Sequence, residues 1–97
     1  MKVYNMISEK TGRSIPNQYV IEDGKGNTLF QSYQTTIAMI EKRGTIILDY
    51  EAENYSRTTS KYLYMFLREN THLQNGKKSI EQAEKEGRII RAALSEL

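Results

Sequence analysis

The chain predicts an α+β domain: a small antiparallel sheet of two hairpins, with an extra N-terminal strand, followed by two helices. Three observations carry that reading. Runs of β-branched and aromatic residues separated by glycine-bearing turns fill the first half. Beyond Ser56 the apolar residues recur at steps of three and four. All the strand signals precede the helical ones.

Residues 2–7, KVYNMI, form the short extra strand. The polar stretch EKTGRS and the single proline, Pro16, make residues 9–17 a loop or an irregular hairpin end. QYVIED, then DGKGN, then TLFQSY reads as the first hairpin, because the turn carries two glycines able to take positive φ. TIAMIE and GTIILDY form the second across the charged KRG. In its first arm Ile37, Met39 and Glu41 fall on one face and Thr36, Ala38 and Ile40 on the other. Neither face is cleanly polar, and a helical reading of TTIAMIEK stays open.

The acidic EAEN after Tyr50 breaks the strand pattern. Ser56 or Thr58 then supplies an N-cap, since a hydroxyl there accepts from the unpaired N–H groups of the first turn. Leu63, Phe66 and Leu67, with Tyr62 beside them, turn toward the sheet, and Lys61, Tyr64 and Arg68 occupy the opposite side. Asn70 and the NGKK at 75–78 end this helix. Ser79 with Gln82 has the capping-box spacing, and Ile80, Ala83, Gly87, Ile90, Leu94 and Leu97 follow a helix seam. Glu81 with Lys85 and Glu84 with Arg88 stand at i,i+4 in the favourable order, so the last helix is placed near 79–95. With no repeat, low-complexity tract or linker, residues 1–97 form a single domain.

The composition excludes several classes of function. With 38% hydrophobic and 27% charged residues the chain is an ordinary folded globule. A formal charge of +2 is too small by itself to imply nucleic acid or an anionic membrane as partner. The absence of cysteine removes disulfides, thiol catalysis and cysteine-ligated zinc. Neither a signal-peptide apolar region nor a run of ~18 apolar residues occurs, so a soluble cytoplasmic protein is expected.

Catalytic groups are sparse. His72 is the only histidine and sits in a polar stretch, where a surface role is favoured over that of a ligand or base. Asp49, Glu51 and Glu53 alternate, but the further oxygen ligands and the glycine of a metal loop are missing, and a solvated edge or loop is the better reading. DGKGN joins two strands and lacks the Walker spacing. No catalytic residue, cofactor or metal site is therefore expected, and the chain reads as a non-enzyme.

The cations and tyrosines offer more. Arg57, Lys61 and Arg68, with Tyr55 and Tyr64, form a cationic and aromatic stripe on the exposed side of the first helix. Such interleaving contacts phosphates and stacks on bases; the competing reading is a solvated helix face. Seven tyrosines among nine aromatics suit either an interface or an amphipathic cap on a small core. The C-terminal seam packs within the chain or supports self-association.

FQSYQTTIA at 30–38 and NYSRTTSKYLYMFL at 54–67 also resemble small accessory proteins of phages, plasmids and prophages of Gram-positive bacteria, in which an SY-x-T/S-x-IA strand end precedes a YS[RK]TTSKY helix. The likeness covers residues 17–70, and the tail 71–97 departs from it as a member-specific helix. Some proteins of such loci resemble inhibitors of type II CRISPR interference. The resemblance implies a cytoplasmic protein of the bacterial host cell that binds the type II effector nuclease or its guide RNA complex. The alternative is a small nucleic-acid-binding accessory protein using the stripe directly.

Overall fold

A computed structural model describes residues 1–97. Six strands form one sheet in chain order: β1 (Lys2–Ile7), β2 (Ser14–Glu22), β3 (Thr28–Ser32), β4 (Thr35–Ile40), β5 (Ile46–Asp49) and β6 (Ile89–Ala92). Helices α1 (Arg57–Asn70) and α2 (Lys77–Lys85) lie between β5 and β6, and a 3-10 turn η1 (Leu94–Glu96) ends the chain. The first five strands pair antiparallel, and β6 joins β5 in parallel. The fold class is the α+β arrangement that the sequence predicts. No helix is long and apolar enough to cross a membrane.

Both expected hairpins are present. In the first, the Asp23 carboxylate accepts from the N–H groups of Lys25 and Asn27, and Gly24 and Gly26 take the positive φ that the turn requires. A tighter connection between β3 and β4 places Tyr33 at φ 57, its N–H donating to the Asn17 carbonyl at 2.7 Å. The stretch 9–17 is shorter as a loop than expected, because β2 already begins at Ser14. Pro16 sits near the start of that strand, where the register with β1 slips between Asn5 and Ile7 and its missing N–H breaks no regular ladder.

The mixed faces of β4 have a local cause. Phe30 opposes Ala38 while Gln31 opposes Thr36, so Ile37 is the extra residue of a bulge, and both Ile37 and Ala38 are buried. Simple alternation therefore fails at this strand.

The expected helix over 79–95 is corrected. The helix starts earlier, at Lys77, with Gly76 at its N-cap; Ser79 Oγ accepts from the Asn75 N–H at 2.8 Å instead of capping a helix of its own. It stops at Lys85 because Gly87 adopts φ 73. The Arg88 N–H reaches the Ala83 carbonyl and the Gly87 N–H the Glu84 carbonyl, the paired bonds of a Schellman ending. The β-branched pair Ile89–Ile90 then continues as a strand, with Ile89 beside Ile46. The seam is thus divided: Ile80, Ala83 and Leu94 are buried, whereas Ile90 and Leu97 are exposed.

One face of the sheet carries the core. Val20, Phe30, Ala38 and Leu48 lie in register there and meet Leu63, Met65, Phe66 and Leu67 of α1 and Ile80 and Ala83 of α2. Phe30 stacks on Phe66 with ring centroids 5.5 Å apart. Toward the start of α1, Ser32 Oγ and Thr59 Oγ1 share a buried hydrogen bond of 3.0 Å, which fixes the helix against the end of β3.

Candidate functional site

The start of α1 is set by Ser56, whose backbone is extended and whose side-chain oxygen accepts the Thr59 N–H at 3.1 Å. From there Arg57, Lys61, Tyr64 and Arg68 follow at spacings of four, three and four, so they share one helix face over ~16 Å of axis. All four line a single open groove of about 730 Å³, together with Ser56, Ser60 and the Glu53–Asn54 backbone turn. Glu53, Asn54, Ser56 and Ser60 are the lining residues that the helical stripe alone did not reveal.

The fifth stripe residue lies elsewhere. Tyr55 donates its hydroxyl to Asp49 Oδ2 at 2.7 Å, which ties its polar tip to the end of β5 and keeps it out of the groove lining. Burial, and then the neighbouring Asp49 and Glu51 charges, push its phenol above the ordinary range against the opposing contact with Ser95.

The groove is electropositive because of what its carboxylate neighbours are doing. Arg57 and Lys61 have no carboxylate within 4 Å, whereas Arg68 meets Glu9 at 3.3 Å on the surface. Lys61 also sits 5.2 Å above the Tyr62 ring. Glu53 is committed to Arg91, at 2.6 and 2.9 Å, and so contributes little net charge to the groove it borders. Glu51 accepts from Asn54 Nδ2. Tyr64 is half-buried with its ring over Gly76, and burial, with Glu53 and Glu81 nearby, holds its phenol above the usual value and therefore protonated. It offers a flat ring and a hydroxyl donor beside two free cations.

Of the alternating acidic residues only Glu51 is solvent-exposed, in the connection after β5; Glu53 is partly buried against Arg91 and Asp49 is not part of a solvated edge or loop. Asp49 is 2% exposed and accepts from the Tyr55 hydroxyl and from the N–H groups of Glu51 and Ser95. Burial works to raise its pKa, but those donors outweigh it and hold the carboxyl below the usual range. His72 is exposed and contacts the Arg88 guanidinium. No three His, Asp or Glu side chains are grouped to hold a metal ion.

Fold and groove define a small α+β domain with one sheet face covered by helices and a cationic strip along the first of them. The chain belongs to DUF8033, a family of unknown function, through a match over residues 1–86. That match runs from β1 through α2 and so extends beyond the stretch 17–70. No curated protein and no solved structure matches the chain.

Proposed function

We propose that this is a non-enzymatic binding protein of the bacterial cytoplasm that inhibits type II CRISPR interference by engaging the effector nuclease in its guide RNA complex. The observation that carries the proposal is the pairing of two cations free of carboxylates, Arg57 and Lys61, with the Tyr64 ring in one open groove. Such a groove suits a phosphate backbone and an adjacent unstacked base. It does not suit the positively charged channel of an effector nuclease, so RNA is the better counterpart.

The test is a pull-down of the effector nuclease with and without guide RNA, run beside a DNA-cleavage assay. Capture that requires the guide, with loss of cleavage, is the expected outcome. Replacing Arg57, Lys61 and Arg68 together with glutamate should abolish both. Full cleavage in the presence of excess protein would refute the inhibitor reading.

The same free cations favour a second reading, direct binding of bare nucleic acid by an accessory protein. Its mark is salt-sensitive binding to RNA or DNA alone, with a log–log salt slope reduced by about 2 in the triple variant, at roughly 0.7 per single-strand phosphate contact.

A further inference from the structure

Asn75 is the one asparagine of the chain followed by glycine, and the connection between α1 and α2 leaves the reactive groups of that pair free. The Asn75 side chain is exposed, and its amide makes no hydrogen bond within the protein; only the backbone N–H is held, donating to Ser79 Oγ at 2.8 Å. The Gly76 N–H donates to nothing, although the Gly76 carbonyl accepts from the Ile80 N–H at 3.2 Å. With no Cβ, and with φ 57, Gly76 leaves its nitrogen open to approach. The other asparagines differ. Asn5, Asn27, Asn54 and Asn70 each commit the side-chain amide as a donor, and Asn17 is followed by the bulky Gln18. Asp23 also precedes a glycine, yet its carboxylate accepts from the N–H groups of Lys25 and Asn27 and from Asn27 Nδ2, at 2.8, 3.1 and 2.8 Å.

We propose that Asn75–Gly76 is a modification site, at which the folded chain deamidates spontaneously to aspartate and isoaspartate. The Gly76 nitrogen loses its proton to water and attacks Asn75 Cγ, so that an N–Cγ bond forms. The Cγ–Nδ2 bond then breaks, and ammonia leaves with a proton taken back from water. Water opens the resulting cyclic imide. Opening at Cγ gives aspartate, and opening at the main-chain carbonyl gives isoaspartate, in which the chain runs through the side-chain carbon. No oxidant or cofactor is consumed. The surroundings favour the anionic steps and the new carboxylate: Asn75 shares a hollow of about 330 Å³ with Lys78, which has no carboxylate within 4 Å, with His72, and with Arg88, which Glu86 holds. The change also reaches the cationic groove. A Cβ on Gly76 would stand 3.6 Å from the Tyr64 ring, so a main chain one methylene longer beside Gly76 displaces the aromatic wall of that groove.

The test is to hold the full chain at physiological pH and temperature for days, folded in buffer or unfolded in urea, and to follow the tryptic peptide carrying Asn75 by mass spectrometry. Conversion in the folded chain should stay within about tenfold of that in urea, because no local opening has to precede it. Asp23–Gly24 is the internal control, and isomerisation there should appear in urea and be suppressed in the folded chain. The Asn75 rate should rise about tenfold per unit of pH, as the anion fraction of a group far below its pKa does. Asn75→Gln keeps an amide but demands a larger ring, and should abolish the mass gain without altering the circular dichroism. In the isoaspartyl product, separated by ion exchange, the NMR signals of Tyr64 and Gly76 should shift. A folded chain that reacts more than about tenfold slower than the unfolded one would overturn the proposal, since the loop would then be protecting the pair. A rate independent of pH would overturn the step through the Gly76 nitrogen.

Discussion

Arg91 on the last strand closes on Glu53 with both terminal nitrogens, at 2.6 and 2.9 Å, joining residues 38 positions apart. Its Nε and one terminal nitrogen also reach Glu84, each at 2.9 Å, and another N–H donates to the Asp49 carbonyl at 3.0 Å. All five guanidinium donors are thus occupied, by acceptors from the β5–α1 connection, the end of β5 and α2. These hydrogen bonds, first Glu53 and then Glu84, raise the Arg91 pKa further and fix the charge.

Replacing Arg91 with alanine leaves Glu53, whose side chain is 15% exposed, without its counter-ion. The expected loss is about 3 kcal/mol, measured as a lower urea midpoint at unchanged slope. Arg91→Lys should recover less than half of this, because a single ammonium cannot bridge both carboxylates in the fork geometry.

Acid should unlock the same corner. Asp49 and Glu84 both have folded-state pKa values below their ordinary ones, the second chiefly through the Arg91 hydrogen bond. Lowered carboxyl values mean that the folded state binds fewer protons than the unfolded one. The stabilisation is therefore complete above about pH 4, the unfolded carboxylate range, and is lost as pH falls through the lower folded values. Asp49→Asn should reduce stability at neutral pH and flatten that acid limb. Tyr55→Phe should shift the Asp49 titration upward, as read by carboxyl NMR.

The aromatic stack is the centre of the core. Phe66→Ala removes a fully buried ring against Phe30 and should cost about 3–5 kcal/mol in chemical denaturation. Phe66→Leu keeps most of the volume and should cost less than half as much.

How far these features were legible depended on how local their causes are. The DGKGN turn acts within a few residues and was readable, and the same locality narrowed the cap to Ser56 or Thr58, of which the fold uses Ser56. The groove residues 57, 61, 64 and 68 stand on one helix, so periodicity alone brought them together. Tyr55 precedes that helix, and its direction depends on Asp49, which periodicity does not report. Residues 86–95 were misassigned because Ile90 and Leu94 fit a helical step, while the pairing of Ile89 with Ile46 depends on a strand more than forty residues earlier. The alignment of Val3, Ile21, Leu29, Met39, Ile47 and Ile90 on the sheet face away from the helices needs the register of all six strands, including the slip caused by the β4 bulge.

A turn supplies the fourth prediction. Gly26 has φ 94, and a Cβ there would come within 2.9 Å of the Lys42 side chain. Gly26→Ala should lower stability by about 1–2 kcal/mol from backbone strain and displacement of Lys42. Gly12→Ala shares the positive φ but meets open space, and should cost about 1 kcal/mol. Thermal melts of the two variants separate strain from crowding.

The parallel pairing of β6 on β5 has a consequence for biogenesis. Strands β1 to β5 each find a partner next to them in the chain, so the meander can assemble while the polypeptide is still leaving the ribosome. The sixth strand emerges last, after residues 50–88 have been made. Until it arrives, the ladder groups of Ile46–Asp49 stand open as a template for any neighbouring nascent chain. The final segment thus acts as a late-fitted plug, and a translation rate slowed just before Ile89 would lengthen the interval in which newly made molecules stick to one another.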